Sequence, residues 1–129
     1  MNYLRNVLLV DDDIDDQEFF TEALTGIENA HLFSVSNSGM EALKILENPG
    51  SLPDYIFPDF SMHVMNGIEC LVNIKKLTIT KDIQLFMLSG AFEQAELSRK
   101  LGAKGFIKKS ADMATLRTEL QNILKPELS

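Results

Sequence analysis

The chain has one cysteine, Cys70, among 129 residues. A single thiol excludes a disulfide framework and points to a reducing compartment. Cys70 stands among Ile68, Leu71 and Ile74 in a helix-like stretch, where a free thiol packs as a small apolar group. Basic residues are scarce as well: 12 Lys and Arg against 19 Asp and Glu leave a formal charge of −7, with a pI near 4.7. Nucleic-acid backbones and anionic membranes both call for a basic footprint, so neither is expected as the main partner; acidity does suit a cation site. No apolar run approaches the ~18 residues that suggest a membrane span. The N-terminus carries Arg5 but no long apolar segment of a secretory signal, so a soluble, cytoplasmic protein is expected. Internal repeats and low-complexity linkers are absent too. What is present, 45% hydrophobic content over 129 residues, fits one globular domain spanning 1–129, with a core of its own and no second domain.

Short apolar runs alternate with segments of helical period. Residues 5–10 are almost wholly apolar after Asn6, as expected of a strand covered on both faces. Asp12 or Asp13 can cap the helix that follows, whose apolar positions are Phe20, Ala23, Leu24 and Ile27; Asp15, Asp16 and Glu18 sit in its first turn, where negative charge suits the dipole. Ala30 to Ser36 reads as a second strand, and Ser38-Gly39-Met40-Glu41 has capping-box spacing before a second helix that Asn48-Pro49-Gly50 stops. The third strand, about 54–59, ends on Asp59, and Asn66-Gly67 closes the loop before a helix from Ile68 to Leu77. A fourth strand covers 83–88, a weaker helix about 92–101 closes on Gly102, and a fifth strand runs from Ala103 to Lys108. Ser110 is expected to cap a last helix that presents Met113, Leu116, Leu120, Ile123 and Leu124 on one face and stops at Pro126. Such alternation predicts an α/β fold with a parallel sheet wound on both sides by helices.

In a sheet of this kind, ligands bind beyond the carboxyl ends of the strands. Asp11 and Asp12 follow the first strand, Asp59 ends the third, Ser89 follows the fourth and Lys109 the fifth. Crowded carboxylates repel one another, so they either hold shifted protons or bind a hard cation. Mg²⁺ is the natural choice, because it takes oxygen ligands and keeps positions open for water and phosphate. Asp59 can then act as a nucleophile toward phosphorus without a general base, with Lys109 and the Ser89 hydroxyl as donors for phosphoryl oxygens. Taken singly, Asp11-Asp12-Asp13 reads as a helix cap, Ser89 as a turn residue, Lys109 as a solvated charge and Phe106 as a core aromatic. Their joint placement favours the chemical reading.

Leu8-Leu9-Val10-Asp11-Asp12, Asp59 ahead of Met62 and Asn66-Gly67, Ser89-Gly90 and Lys109 resemble the receiver domain of bacterial two-component response regulators, of the stand-alone, chemotaxis-regulator type. The resemblance covers essentially the whole chain and implies a flavodoxin-like sheet of five strands in the order 2-1-3-4-5. It implies Asp59 as phosphoacceptor, and Mg²⁺ held by Asp11, Asp12, Asp59 and the Ser61 backbone carbonyl. Ser89 and Lys109 match the hydroxyl and lysine that grip the phosphoryl group, and Phe106 matches an aromatic whose rotamer follows the hydroxyl residue. The implied partners are a histidine kinase or phosphotransfer protein upstream and an unnamed protein target downstream, with a homodimer through the fourth helix, fifth strand and fifth helix as a further option. Ser61 and Ala91 fall where similar receivers tune phosphoryl lifetime; both are small, which suggests an ordinary lifetime.

Three positions depart from the family pattern. Ser110 stands where proline commonly follows the lysine, leaving the Lys109 peptide trans or, at ~3 kcal/mol, cis. His63 replaces another common proline and reads as a solvated loop residue or as a pH-sensitive neighbour of the site. Pro58 precedes Asp59 inside a central strand, where a missing donor predicts an irregular strand end. Arg99, Lys100, Lys104 and Lys108 form a basic patch that fits an acidic partner or simply guards an edge strand. Two other functions compete: a small Mg²⁺-dependent phosphatase or phosphotransferase using Asp59, for which the second acid often found two residues on is replaced by Ser61, and a receiver-like scaffold that is never phosphorylated. The expected output, with no effector segment after the last helix, is protein contact and no turnover of outside metabolites.

Overall fold

The computed structural model describes residues 4–48, 50–77, 82–90, 95–110 and 112–125. Its strands are β1 (Arg5–Val10), β2 (Ala30–Ser36), β3 (Tyr55–Pro58), β4 (Gln84–Ser89) and β5 (Gly105–Lys108). They alternate with α1 (Ile14–Thr25), α2 (Gly39–Leu46), α3 (Gly67–Lys75), α4 (Ala95–Lys100) and α5 (Met113–Leu124). The sheet order is β2-β1-β3-β4-β5 and every pairing is parallel, the doubly wound, flavodoxin-like order that the resemblance implied.

The apolar run of β1 is explained by the two cores it serves. Val7 and Leu9 point into one cluster with Phe20, Leu24, Phe57 and Leu120 from α1, β3 and α5. Leu8 and Val10 point into the other, with Leu46, Cys70, Leu71 and Met87 from α2, α3 and β4. Successive strand residues face opposite sides, so a strand buried on both needs every position apolar. Burial pushes the Cys70 thiol up to about 12, which leaves it a packing group.

Pro58 makes the irregular strand end. Val10 pairs with Pro58, and the Asp59 amide donates to the Val10 carbonyl at 2.8 Å, so the β1 side of β3 is complete. On the β4 side the ladder holds Tyr55 and Ile56, lapses, and resumes with the Phe60 amide on the Leu88 carbonyl at 2.7 Å. Amides alternate sides along a strand, so the donor that Pro58 lacks is the β4-facing one. β3 therefore ends at Pro58, and Asp59 meets β4 through an isolated bridge to Leu88.

Caps set the helix entries near the site. Asp13 is the α1 cap and accepts from the Asp16 amide at 3.0 Å. Ser38 accepts from the Glu41 amide at 3.1 Å. Asn66 and Glu69 form a full capping box on α3, although their spacing invites that reading and only a loop end was expected there. The expected Ser110 cap is corrected: α5 starts later, Asp112 holds the cap position, and the Ser110 Oγ instead accepts from the Asp112 amide at 3.0 Å. Both Ser110 and Asp112 are cap-type residues, and with the Ser110 hydroxyl engaged by the Asp112 amide it is Asp112 that stands at the start of the helix. Gly102 ends α4 at φ 115°, with the Ala103 amide donating to the Ser98 carbonyl at 2.9 Å, a glycine-type helix end. Residues 92–94 of the expected fourth helix, Pro49 and Pro126 lie outside the described residues. No helix among the described residues is long and apolar enough to cross a membrane.

Candidate functional site

Asp11 and Asp59 leave neighbouring central strands at the same edge and are 1% and 3% exposed. The Asp11 amide donates to the Ser36 carbonyl at 3.0 Å, and its Oδ1 accepts from the Asp13 amide at 2.9 Å. Asp59 Oδ1 accepts from the Ser61 amide at 3.2 Å. The loop behind Asp59 returns so closely that a β-carbon on Gly67 would lie 2.6 Å from the Asp59 carbonyl oxygen. Only glycine lets the start of α3 approach that backbone.

Lys109 enters from β5, where its amide donates to the Ser89 carbonyl at 2.8 Å. Its Nζ lies 2.7 Å from Asp16 Oδ2, 3.0 Å from Asp59 Oδ1 and 3.5 Å from Asp11 Oδ2. Burial alone would lower the ammonium; the hydrogen bond to Asp16 and the charges of Asp59 and Asp11 outweigh it, and its pKa is raised. The Lys109–Ser110 peptide is trans, no cis bond occurring among the described residues.

Carboxylate oxygens of Asp11, Asp16 and Asp59 lie within 4.8 Å of one another. Burial pushes the Asp11 carboxyl up to about 6, with the Asp59 charge adding to it against the lowering effects of the Asp13 amide and Lys109. A cavity of about 50 Å³, lined by Asp11, Asp16 and Lys109 together with Phe20, Leu88 and Ile107, keeps apolar surface beside these charges. The donor set is oxygen only, partly desolvated and over-supplied with negative charge, which fits a hard divalent cation such as Mg²⁺.

Asp16 is the site residue that the sequence reading missed; it was expected as a helix-start charge alone. Its signal was its place on α1, one turn past the strand end that carries Asp11. Gln17 sits beside it and donates from Nε2 to the Asp11 carbonyl at 2.6 Å. Asp12, expected at the cation, lies outside this group of three. Its Oδ2 accepts from both the backbone N–H and the ring Nδ1 of His63, each at 2.9 Å, and these bonds hold the Asp12 carboxyl below the usual carboxylate range. His63 is therefore exposed but engaged.

Ser89 is buried at the end of β4. Phe106 pairs with Met87 across β4 and β5 and is partly buried against the α2/α3-side core. Ser61 is exposed beside Asp59, and Ala91 lies outside the described residues. Of the basic patch, Arg99 and Lys100 lie on α4, Lys104 precedes β5 and Lys108 is exposed on that edge strand.

Residues 7–121 match the family described as the response regulator receiver domain, and the chain belongs to that family. It is similar to the chemotaxis protein CheY of Halobacterium salinarum, at 27% identity over 122 residues covering 93% of this chain and 97% of that protein. It is 32% identical over 133 residues to a protein-glutamate methylesterase/protein-glutamine glutaminase of Desulfotalea psychrophila; that match takes in 97% of this chain and only 36% of the relative's length. Among solved structures, a chain of the CheX–CheY–BeF3–Mg²⁺ complex from Borrelia burgdorferi superposes with a TM-score of 0.79 at 28% identity, covering 94% of this chain and 90% of that one. The chain is thus a two-component receiver of CheY-like build, a signalling rather than an enzymatic type of domain.

Proposed function

We propose that this receiver is a phosphorylation-dependent switch that takes a phosphoryl group on Asp59 from a histidine kinase or phosphotransfer protein. The observation that carries the reading is Lys109 Nζ at 3.0 Å from Asp59 Oδ1, beside a convergent carboxylate group at the carboxyl edge of the sheet. An Asp59 oxygen attacks phosphorus, the bond from phosphorus to the donor's leaving atom breaks, and the leaving group departs with that bonding pair and is protonated from solvent. Lys109 transfers its hydrogen bond from Asp59 to a phosphoryl oxygen, and the Ser89 hydroxyl binds a second one. Asp11, Asp12, Asp59 and the Ser61 carbonyl would hold Mg²⁺, which supplies neutralising charge for the phosphoryl oxygens when bound.

The movement of Ser89 toward the phosphoryl group would draw Phe106 inward and alter the surface of α4, β5 and α5, the face offered to a downstream protein or to a second copy of the chain. The domain promotes its own phosphorylation and dephosphorylation and turns over no outside substrate. Incubation with a small phosphodonor and Mg²⁺ tests this: about one phosphoryl group per chain is expected. Many turnovers of a phosphomonoester would instead favour a phosphatase.

A further inference from the structure

Two carboxylates that the proposed function assigns to one cation are held in different ways. Asp11 converges with Asp16 and Asp59, whereas both hydrogen bonds to Asp12 Oδ2 come from a single residue, His63. A carboxylate only accepts, so the ring donates from Nδ1. The ring is 94% exposed, so its contact with Asp12, and not packing, orients it.

The backbone around it is constrained. The Met65 amide donates to the His63 carbonyl at 2.7 Å while Val64 between them takes φ 66°, a γ-turn of the rare, strained hand. Val64 is 98% exposed, so packing does not offset that strain. The turn presents the His63 N–H and ring on the same side of the loop, and both close on one oxygen of Asp12.

We propose that His63 is a positioning residue that holds Asp12 outside the carboxylate group, so that a divalent cation must compete with the His63 ring for Asp12. This rests on the reading of Asp11, Asp12 and Asp59 as the cation site. An exposed hydrogen-bonded pair contributes little, so the competition is worth roughly two- to fivefold in affinity.

The test is calorimetric titration of the full chain with Mg²⁺. His63→Ala keeps the backbone donor and removes the ring, and is expected to bind Mg²⁺ roughly two- to fivefold more tightly. His63→Asn, whose amide nitrogen can take the place of Nδ1, is expected to return to the wild-type value. Unchanged or weaker binding in His63→Ala, or equal affinities in the Ala and Asn variants, would overturn the inference. Asp59→Ala, titrated in parallel, keeps the two readings apart. Mg²⁺ binding lost there with His63→Ala unchanged sinks the role of His63 alone, whereas Mg²⁺ binding retained there sinks the cation site itself.

Discussion

Asp11 and Asp12 are adjacent in the chain and opposite in circumstance. Asp11 is sealed against β2 and the central strands, and burial drives its carboxyl up to about 6. Asp12 faces the loop after Asp59, where the His63 N–H and ring hold it below the ordinary range. The same residue type therefore carries strain on the inner rim and relief on the outer one. The inner rim is built by strand ends, whereas the outer one rests on a single loop through His63.

The largest expected effect breaks the comparison on the inner side. An acid whose folded pKa is raised from 3.8 to about 6 is penalised when ionised. Its cost is absent below the unfolded value, grows between the two and is complete above the folded one. Metal-free protein should therefore lose stability as pH rises from 4 to 7, by up to about 3 kcal/mol from this group. Asp12 acts in the opposite sense, but only below its unfolded value, so the window from 4 to 6 reports Asp11. Urea unfolding across that range checks it: Asp11→Asn should flatten the slope, and so should saturating Mg²⁺.

A smaller effect sharpens the comparison at Lys109. Asp16 makes the shortest contact with its ammonium, at 2.7 Å, and competes with any phosphoryl oxygen for it. Asp16→Asn removes that competitor and one negative charge. With Asp11, Asp12 and Asp59 left to hold the cation, it should tighten the binding of beryllofluoride with Mg²⁺ by up to roughly fivefold, the equivalent of about 1 kcal/mol, the upper end for a partly exposed ion pair. Competition binding measures this, and weaker binding would recast Asp16 as a supporting ligand.

The smallest effect lies on the outer loop. Val64→Gly relieves a β-branched residue at φ 66° and should raise stability by about 1 kcal/mol, less the backbone entropy that glycine adds to the unfolded chain. Thermal unfolding reads it directly. A loss of stability would mean that the valine makes contacts that outweigh its backbone cost.

Most of the inner rim was legible in the sequence, because apolar runs that end in Asp11, Asp59, Ser89 and Lys109 place those groups wherever parallel strands stop. Strand order was not; alternation of elements predicts a parallel sheet but is silent on which strands adjoin, and the order came from family resemblance. Asp16 escaped because its reach to Lys109 depends on the angle at which α1 leaves β1. Asp12 turned outward because a loop conformation, set at Val64, brought His63 to it, and no spacing rule foretells a strained turn. Pro58 shows a middle case. Its missing donor forecast an irregular strand end, while the side affected followed only from the register against β1 and β4.

The most direct test of the central claim is the location of the phosphoryl group. Mass spectrometry after treatment with a small phosphodonor and Mg²⁺ should find a single adduct on the peptide containing Asp59, and none in a folded Asp59→Asn variant. An adduct on another residue, or no adduct in the folded wild-type protein, would contradict the account.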